Sequence, residues 1–173
     1  VSDQRQGGKV QQHFNQVFND IVIRWEGDKV VNDPVDKGGL TKYGISQRAH
    51  PQLDIAHLSE EQAQEIYKKE YWDKMRLDEV MDFGICKQLF QQAINQGPGV
   101  AAISLQKILN MLRFVVDVDG VVGPKTLTAV NSYHTPSEII WALKGSQYAR
   151  YVAIVERDES QIKFFRGWLR RTF

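Results

Sequence analysis

From His13 onward, Phe14, Val17, Phe18, Ile21, Val22 and Trp25 recur at the three- and four-residue spacing that draws an apolar stripe down one face of a helix. Gly27 is placed to stop that helix, which puts Glu26 in its last turn. The pattern then changes. Asn32-Asp33-Pro34 and Lys37-Gly38-Gly39 are turn chemistry, and they separate short Val-bearing or Thr/Tyr-bearing runs. Residues 28–45 therefore read as a small β-hairpin beside the helix, the one part of the chain that prefers strand. Helical periodicity returns after it. Ser59 and Gln62 make a capping box ahead of a helix through Ala63, Ile66 and Tyr67 and toward Trp72. A helix at 83–96 carries Ile85, Leu89, Ala93 and Ile94, and Gly97-Pro98 stops it. The next, at 99–113, carries Val100, Ile103, Ile108 and Leu112. Gly123-Pro124 opens another, with proline in its favoured first position, and Pro136-Ser137 opens a long one carrying Ile140, Leu143, Tyr151 and Ile154. Ile162, Phe165, Trp168 and Leu169 draw a last short amphipathic helix. The expected fold is α+β and mostly α-helical.

Composition narrows this picture. A chain of 173 residues with no repeat and no linker supports one domain with a sizeable core. A hydrophobic fraction of 42% and a charged fraction of 25% exclude disorder and collagen-like repeats. No apolar run approaches the length of a membrane span. Residues 1–12 are polar and glycine-bearing and read as a loose extension. Because the chain begins at Val1, an upstream signal or anchor is left open.

A net charge of +1 argues against a nucleic-acid partner, but the charge is uneven. Residues 1–100 carry 12 Lys/Arg against 15 Asp/Glu, whereas residues 144–173 carry 7 against 3. The basic C-terminal helix could lean on an anionic polymer or a membrane surface; a solvated face is the favoured reading. Cys86 stands alone, so no disulfide forms within the chain, and it reads as a small buried hydrophobe. His13, His50, His57 and His134 lack metal-ligand spacing. Asp117-Val118-Asp119-Gly120 has its glycine too early for a calcium loop and Thr128 where a glutamate is needed, so a tight turn is the better account. No metal or cofactor is expected. No Cys–His pair supports an amidase or peptidase nucleophile.

What remains is Glu26 and the ribbon behind it. Glycosidic cleavage needs a protonated carboxyl at the leaving oxygen and a second group for water or the sugar cation. Glu26 ends a helix, where the dipole disfavours a negative charge, and Asp33, Asp36 and Thr41 follow on the ribbon. Asp33 is best read as a turn residue bonding its own backbone. Asp36 is balanced between that role and catalysis, and Thr41 leans toward function. Tyr43 could stack on a sugar ring or belong to the core. Asn95 could bond an N-acetyl group or cap the Gly97 turn.

The stretch Glu26-Gly27, Val31-Asn32-Asp33-Pro34, Asp36, Gly38-Gly39, Thr41 and Gly44-Ile45 resembles, in register, the N-terminal signature of the family-108 glycoside hydrolases. These are muramidases of phage lysis cassettes and bacterial secretion loci. Asp28 and Lys29 stand where that signature has Gly and Tyr, so an aromatic at one subsite is replaced. Tyr67 with Tyr71-Trp72, Phe90 through Gly97 (with Gln91 at a usual Asp), Asp119 through Thr126, and Gly167-Trp168-Leu169 extend the resemblance over most of the chain. The Glu-to-Thr separation is also similar to that in lysozymes of some tailed phages, although their Asp lies one position earlier.

The resemblance implies a lysozyme-like single domain, with a catalytic lobe over 13–85 and a helical lobe over 86–173 similar to a peptidoglycan-associated segment. It implies a peptidoglycan hydrolase cutting the β-1,4 bond between N-acetylmuramic acid and N-acetylglucosamine. Glu26 would be the general acid, Asp36 and Thr41 its helpers, and Tyr43 and Asn95 substrate contacts. The implied partner is the peptidoglycan glycan strand, met by a monomer without stable membrane insertion. It would be made in the cytoplasm, exported or released (by a holin in the phage setting), and would act in the periplasm or cell wall. A lytic transglycosylase, a non-catalytic peptidoglycan-binding module and an inactive lysozyme-fold scaffold are the competing readings.

Overall fold

The computed structural model describes residues 13–32 and 39–173. Two compact units divide between Glu70 and Tyr71. In the first, helix α1 (13–25) buries Phe14, Val17, Phe18, Ile21 and Val22 as the periodicity requires. Trp25 departs from that stripe and is 44% exposed. The cause is a π turn over Asn19–Ile23, closed by the Arg24 N–H on the Asn19 carbonyl. Residues in a wider turn advance through a smaller angle, so the apolar stripe slips out of phase before it reaches Trp25. The Arg24 guanidinium lies 5.7 Å from the centre of the Trp25 ring.

Three short strands follow, β1 (Val31–Asn32), β2 (Leu40–Lys42) and β3 (Ile45–Ser46), in the antiparallel order β1-β2-β3. Val31 pairs with Thr41, and Thr41 with Ser46. The expected hairpin is thus part of a three-stranded sheet. Helix α2 (Glu60–Tyr67) begins at the capping box read from the sequence. Ser59 Oγ accepts the Gln62 N–H at 3.2 Å, and Gln62 Oε1 accepts the Ser59 N–H at 2.9 Å. A second π turn (Lys68–Trp72) continues α2.

In the second unit, α3 (Phe83–Gln96), α4 (Pro98–Met111) and α6 (Pro136–Arg157) pack on one another, with α5 (Pro124–Ser132) against α4 and α7 (Ile162–Thr172) against α6. Leu89, Phe90, Leu105, Leu109, Ile139 and Leu143 are buried among them. Trp72 packs edge-on against Phe90 at 5.5 Å and its indole donates to Asp78. A polar seam threads this apolar core. The Gln88 amide donates to Gln147 at 2.9 Å, and the Gln147 amide donates to the Tyr151 hydroxyl at 2.9 Å. Such a seam fixes helix register, because a slip would leave buried amides unpaired. Cys86 is fully buried as expected, and desolvation pushes its thiol up to about 12. Among the described residues no helix is long and apolar enough to cross a membrane, and no group of three or more His, Cys, Asp or Glu could hold a metal ion.

Candidate active site

Glu26 sits where the sequence places it. Its N–H reaches the Val22 carbonyl at 2.9 Å, and Gly27 ends the helix with φ +65°. That left-handed conformation suits glycine and reverses the chain immediately after the acid. The carboxyl end of Glu26 then lies against the β2–β3 turn. A Cβ built on Gly44 would stand 3.0 Å from Glu26 Cγ and 3.3 Å from Cδ. Gly44 is therefore a backbone surface on which the Glu26 side chain rests.

The turn itself is strained. Tyr43 and Gly44 join β2 to β3 as a two-residue loop with φ +52° and +74°. Positive φ at both positions is the requirement of a type I′ hairpin, which ordinarily selects Asn or Gly at the first. A tyrosine there costs on the order of 1–2 kcal/mol. Three contacts hold it. The Tyr67 hydroxyl donates to the Tyr43 carbonyl at 2.8 Å, the Tyr43 ring is buried, and the Lys42 ammonium lies 5.5 Å from the ring centre. Lys42 is fixed in turn by donating to the Leu58 carbonyl at 2.8 Å. Burial first, then the carboxylates of Glu60, Asp28 and Glu61, raise the Tyr43 phenol above its ordinary value. In the sequence Tyr67 signals a helix and a family match but no part in the site. Its role depends on a contact 24 positions away, which no local pattern reveals.

Glu26, Lys29, Val31, Thr41, Tyr43 and Gly44 line a cleft of about 210 Å³. Among the described residues Glu26 supplies its only carboxyl, and Lys29 and Lys42 bring positive charge to the same walls. The Thr41 hydroxyl donates to the Gly39 carbonyl at 3.2 Å, so its proton is committed and its lone pairs remain to accept a hydrogen bond. Of the residues singled out in the sequence, Glu26, Thr41 and Tyr43 thus share one cleft. Tyr43 lines it while only 6% exposed, as part of the floor. Asp36, like Asp33, lies outside the described residues. Asn95 belongs to the second unit, where its amide donates to the Gln91 carbonyl within α3 at 2.8 Å. Trp25, exposed next to the acid in sequence, is an aromatic that the helical-phase reading assigned to the core.

Residues 19–97 match the family model described as "Glycosyl hydrolase 108", and residues 100–173 match that described as "Predicted Peptidoglycan domain". Among solved structures, the chain is similar to that of Brucella abortus SagA. The two are 29% identical, with a TM-score of 0.71 over 96% of this chain and 90% of that one. No curated protein matches. The helix-end acid and its hairpin fall within the first matched segment, and the Asp119–Thr126 motif falls within the second. The mostly helical α+β fold is lysozyme-like, and the chain is a peptidoglycan hydrolase that acts at the cell wall. Its residues 19–97 match the glycosyl hydrolase 108 family, and a segment matching the predicted peptidoglycan domain follows them.

Proposed function

We propose that this hydrolase is an N-acetylmuramidase that cuts the β-1,4 bond between N-acetylmuramic acid and N-acetylglucosamine, with Glu26 as general acid. The observation that carries the reading is the Glu26 side chain seated on Gly44 within a cleft that Thr41 also lines. A carboxyl held at a helix end against a stiff turn can meet the leaving glycosidic oxygen in one orientation and donate its proton there. As the bond lengthens, charge develops on the sugar ring and water must arrive on it. Thr41, with its proton turned to Gly39, accepts from that water and orients it. Asp36 is the proposed second carboxyl, supporting the sugar cation or sharing the water with Thr41. Lys29, in place of the family's tyrosine, brings a cation to a substrate rich in carboxylates.

The test is Glu26→Gln with purified sacculi. Gln keeps the shape and removes the proton, so reducing-end release should fall by about a hundredfold or more at an unchanged melting temperature. Turnover within a few-fold of the parent would remove Glu26 from the mechanism. Mass spectrometry of the parent's products decides the reaction. Hydrated reducing ends are expected, and 1,6-anhydromuramic ends would replace the muramidase by a lytic transglycosylase.

A further inference from the structure

The second unit carries an exposed feature that the cleft chemistry does not use. On α6, Trp141 is 68% exposed and Tyr148 is 42% exposed. They are seven residues apart, two helical turns or about 10.5 Å along one face. Lys144 lies between them on that face, and its ammonium sits 5.7 Å from the centre of the ring of Phe173, which is 74% exposed beyond the end of α7. Tyr148 leans on Phe165 of α7 at 6.2 Å, and Trp168 stacks on Tyr151 at 4.9 Å. The aromatic strip is therefore set on a packed helix pair. Exposed large aromatics gathered on one rigid face, with a cation among them, mark a binding surface more than a solvated one.

We propose that this strip, Trp141–Lys144–Tyr148 with Phe173, docks a peptidoglycan strand, gripping intact wall independently of the Glu26 cleft. The proposal rests on the reading of the chain as a peptidoglycan hydrolase and says where its second segment holds that polymer. Three observations point to this occupant. Two turns of helix set the two residues about 10.5 Å apart along the axis, so different sugars of one strand can each lay an apolar face on an aromatic. Residues 144–173 carry 7 Lys/Arg against 3 Asp/Glu, complementary to the carboxylates of the stem peptides. The strip also lies wholly within the segment that matches the predicted peptidoglycan domain. A membrane surface would use the same charge, but it would ask for a continuous apolar face. Here Lys144 interrupts the rings.

The test uses the full chain. Trp141→Ala/Tyr148→Ala is measured for co-sedimentation with intact sacculi and for turnover of short soluble glycan fragments. Sacculus affinity is expected to fall on the order of tenfold or more, as loss of two aromatic anchors does at interfaces. Turnover of the soluble fragments should stay within twofold. Trp141→Phe/Tyr148→Phe keeps the rings and should keep the affinity, which separates loss of stacking from misfolding. Lys144→Glu should weaken sedimentation most at low salt. Unchanged sacculus binding by the double alanine variant would overturn the proposal. So would a variant that keeps sacculus binding but loses binding to phosphatidylglycerol vesicles, which would assign the strip to a membrane. Failure of the hydrolase reading looks different: the parent would then release no reducing ends from either substrate.

Discussion

The two units of this chain keep their residues in place by opposite means. Among the described residues from Gly27 to Gly44 in the first unit, four have positive φ, Gly27, Gly39, Tyr43 and Gly44, and the strands there are two or three residues long. Its cleft is shaped by backbone turns and by a few side chains that pin them. The second unit is built from helices of 9 to 22 residues, and its strongest constraints are apolar packing and the glutamine seam. Redundancy is the difference. A packed helix face spreads each loss over many neighbours, whereas a two-residue turn has no second copy of its geometry. The first unit should therefore lose activity before stability, and the second should lose stability before activity.

The largest effect expected is in the second unit. Leu105 is fully buried, and Leu105→Ala should lower stability by about 3 kcal/mol through lost burial and the cavity left behind. Activity per folded molecule should hold below the new melting midpoint. A matched collapse of activity in a variant still folded at the assay temperature would dissolve the contrast. Gly44→Ala is the counterpart in the first unit. The new methyl would lie 2.8 Å from the Tyr67 hydroxyl and 3.0 Å from Glu26 Cγ, at a φ that alanine avoids. Displacing the acid by a fraction of an ångström to an ångström should reduce turnover by about a hundredfold, near 2.7 kcal/mol of barrier. The stability cost should be only about 1 kcal/mol. Activity assays on sacculi paired with thermal melts separate the two outcomes.

Tyr67→Phe sharpens the same point with a smaller change. It removes the donor to the Tyr43 carbonyl while keeping the ring in the core. A hydrogen bond of this kind contributes about 0.5–1.5 kcal/mol, so kcat should fall by about tenfold or less with KM nearly unchanged. Removing the hydroxyl also clears the space that a Gly44 methyl would enter. The double variant Gly44→Ala/Tyr67→Phe should then be more active than the product of the two single losses predicts. Strict additivity in that cycle would mean that Tyr67 does not press on the turn.

How far these constraints were legible depended on their range in sequence. The Gly27 stop, the Ser59–Gln62 capping box, the prolines opening α5 and α6, and most of the buried stripe of α1 are local, and each appears at the residue that signals it. Trp25 was misplaced because a π turn is invisible to a reading in fixed 100° steps. The placement of Glu26 and Thr41 in one cleft follows from the hairpin pattern, but the seating of Glu26 on Gly44 and the hold of Tyr67 on Tyr43 do not. They join residues 18 and 24 positions apart through tertiary contact alone. Likewise, the glutamine seam has no periodic signature, because Gln88 and Gln147 are polar residues in the buried phase of two helices.

Asp119 gives the smallest effect and tests the contrast from the second unit's own turn. The loop after α4 is held as the first unit's hairpin is, by single contacts. Gln106 donates to Asp119 at 2.7 Å and to the Val121 carbonyl at 3.0 Å, and accepts from the Gly120 N–H at 3.0 Å. The Asp119 carboxylate also accepts the Val121 N–H at 2.9 Å, beside Gly120 at φ +79°. The backbone hydrogen bond from Val121, and then the Gln106 amide, favour the charged form and hold this carboxyl below the usual aspartate range. A depressed native value means the contribution is fully present above the unfolded aspartate value of about 3.9 and is lost as pH falls through the lower native one. Asp119→Asn should therefore lower the neutral limb of the stability curve slightly and flatten the acid limb, so that parent and variant converge as pH falls below about 4. Hydrogen exchange at the 117–121 amides, measured at pH 3 and pH 6, reads this directly. If parent and variant lose protection equally on acidification, the turn is held by α4 and α5 packing and the Asp119 contacts merely accompany it. The loop would then share the redundancy of the helices around it, and fragility would belong to the Glu26 hairpin alone.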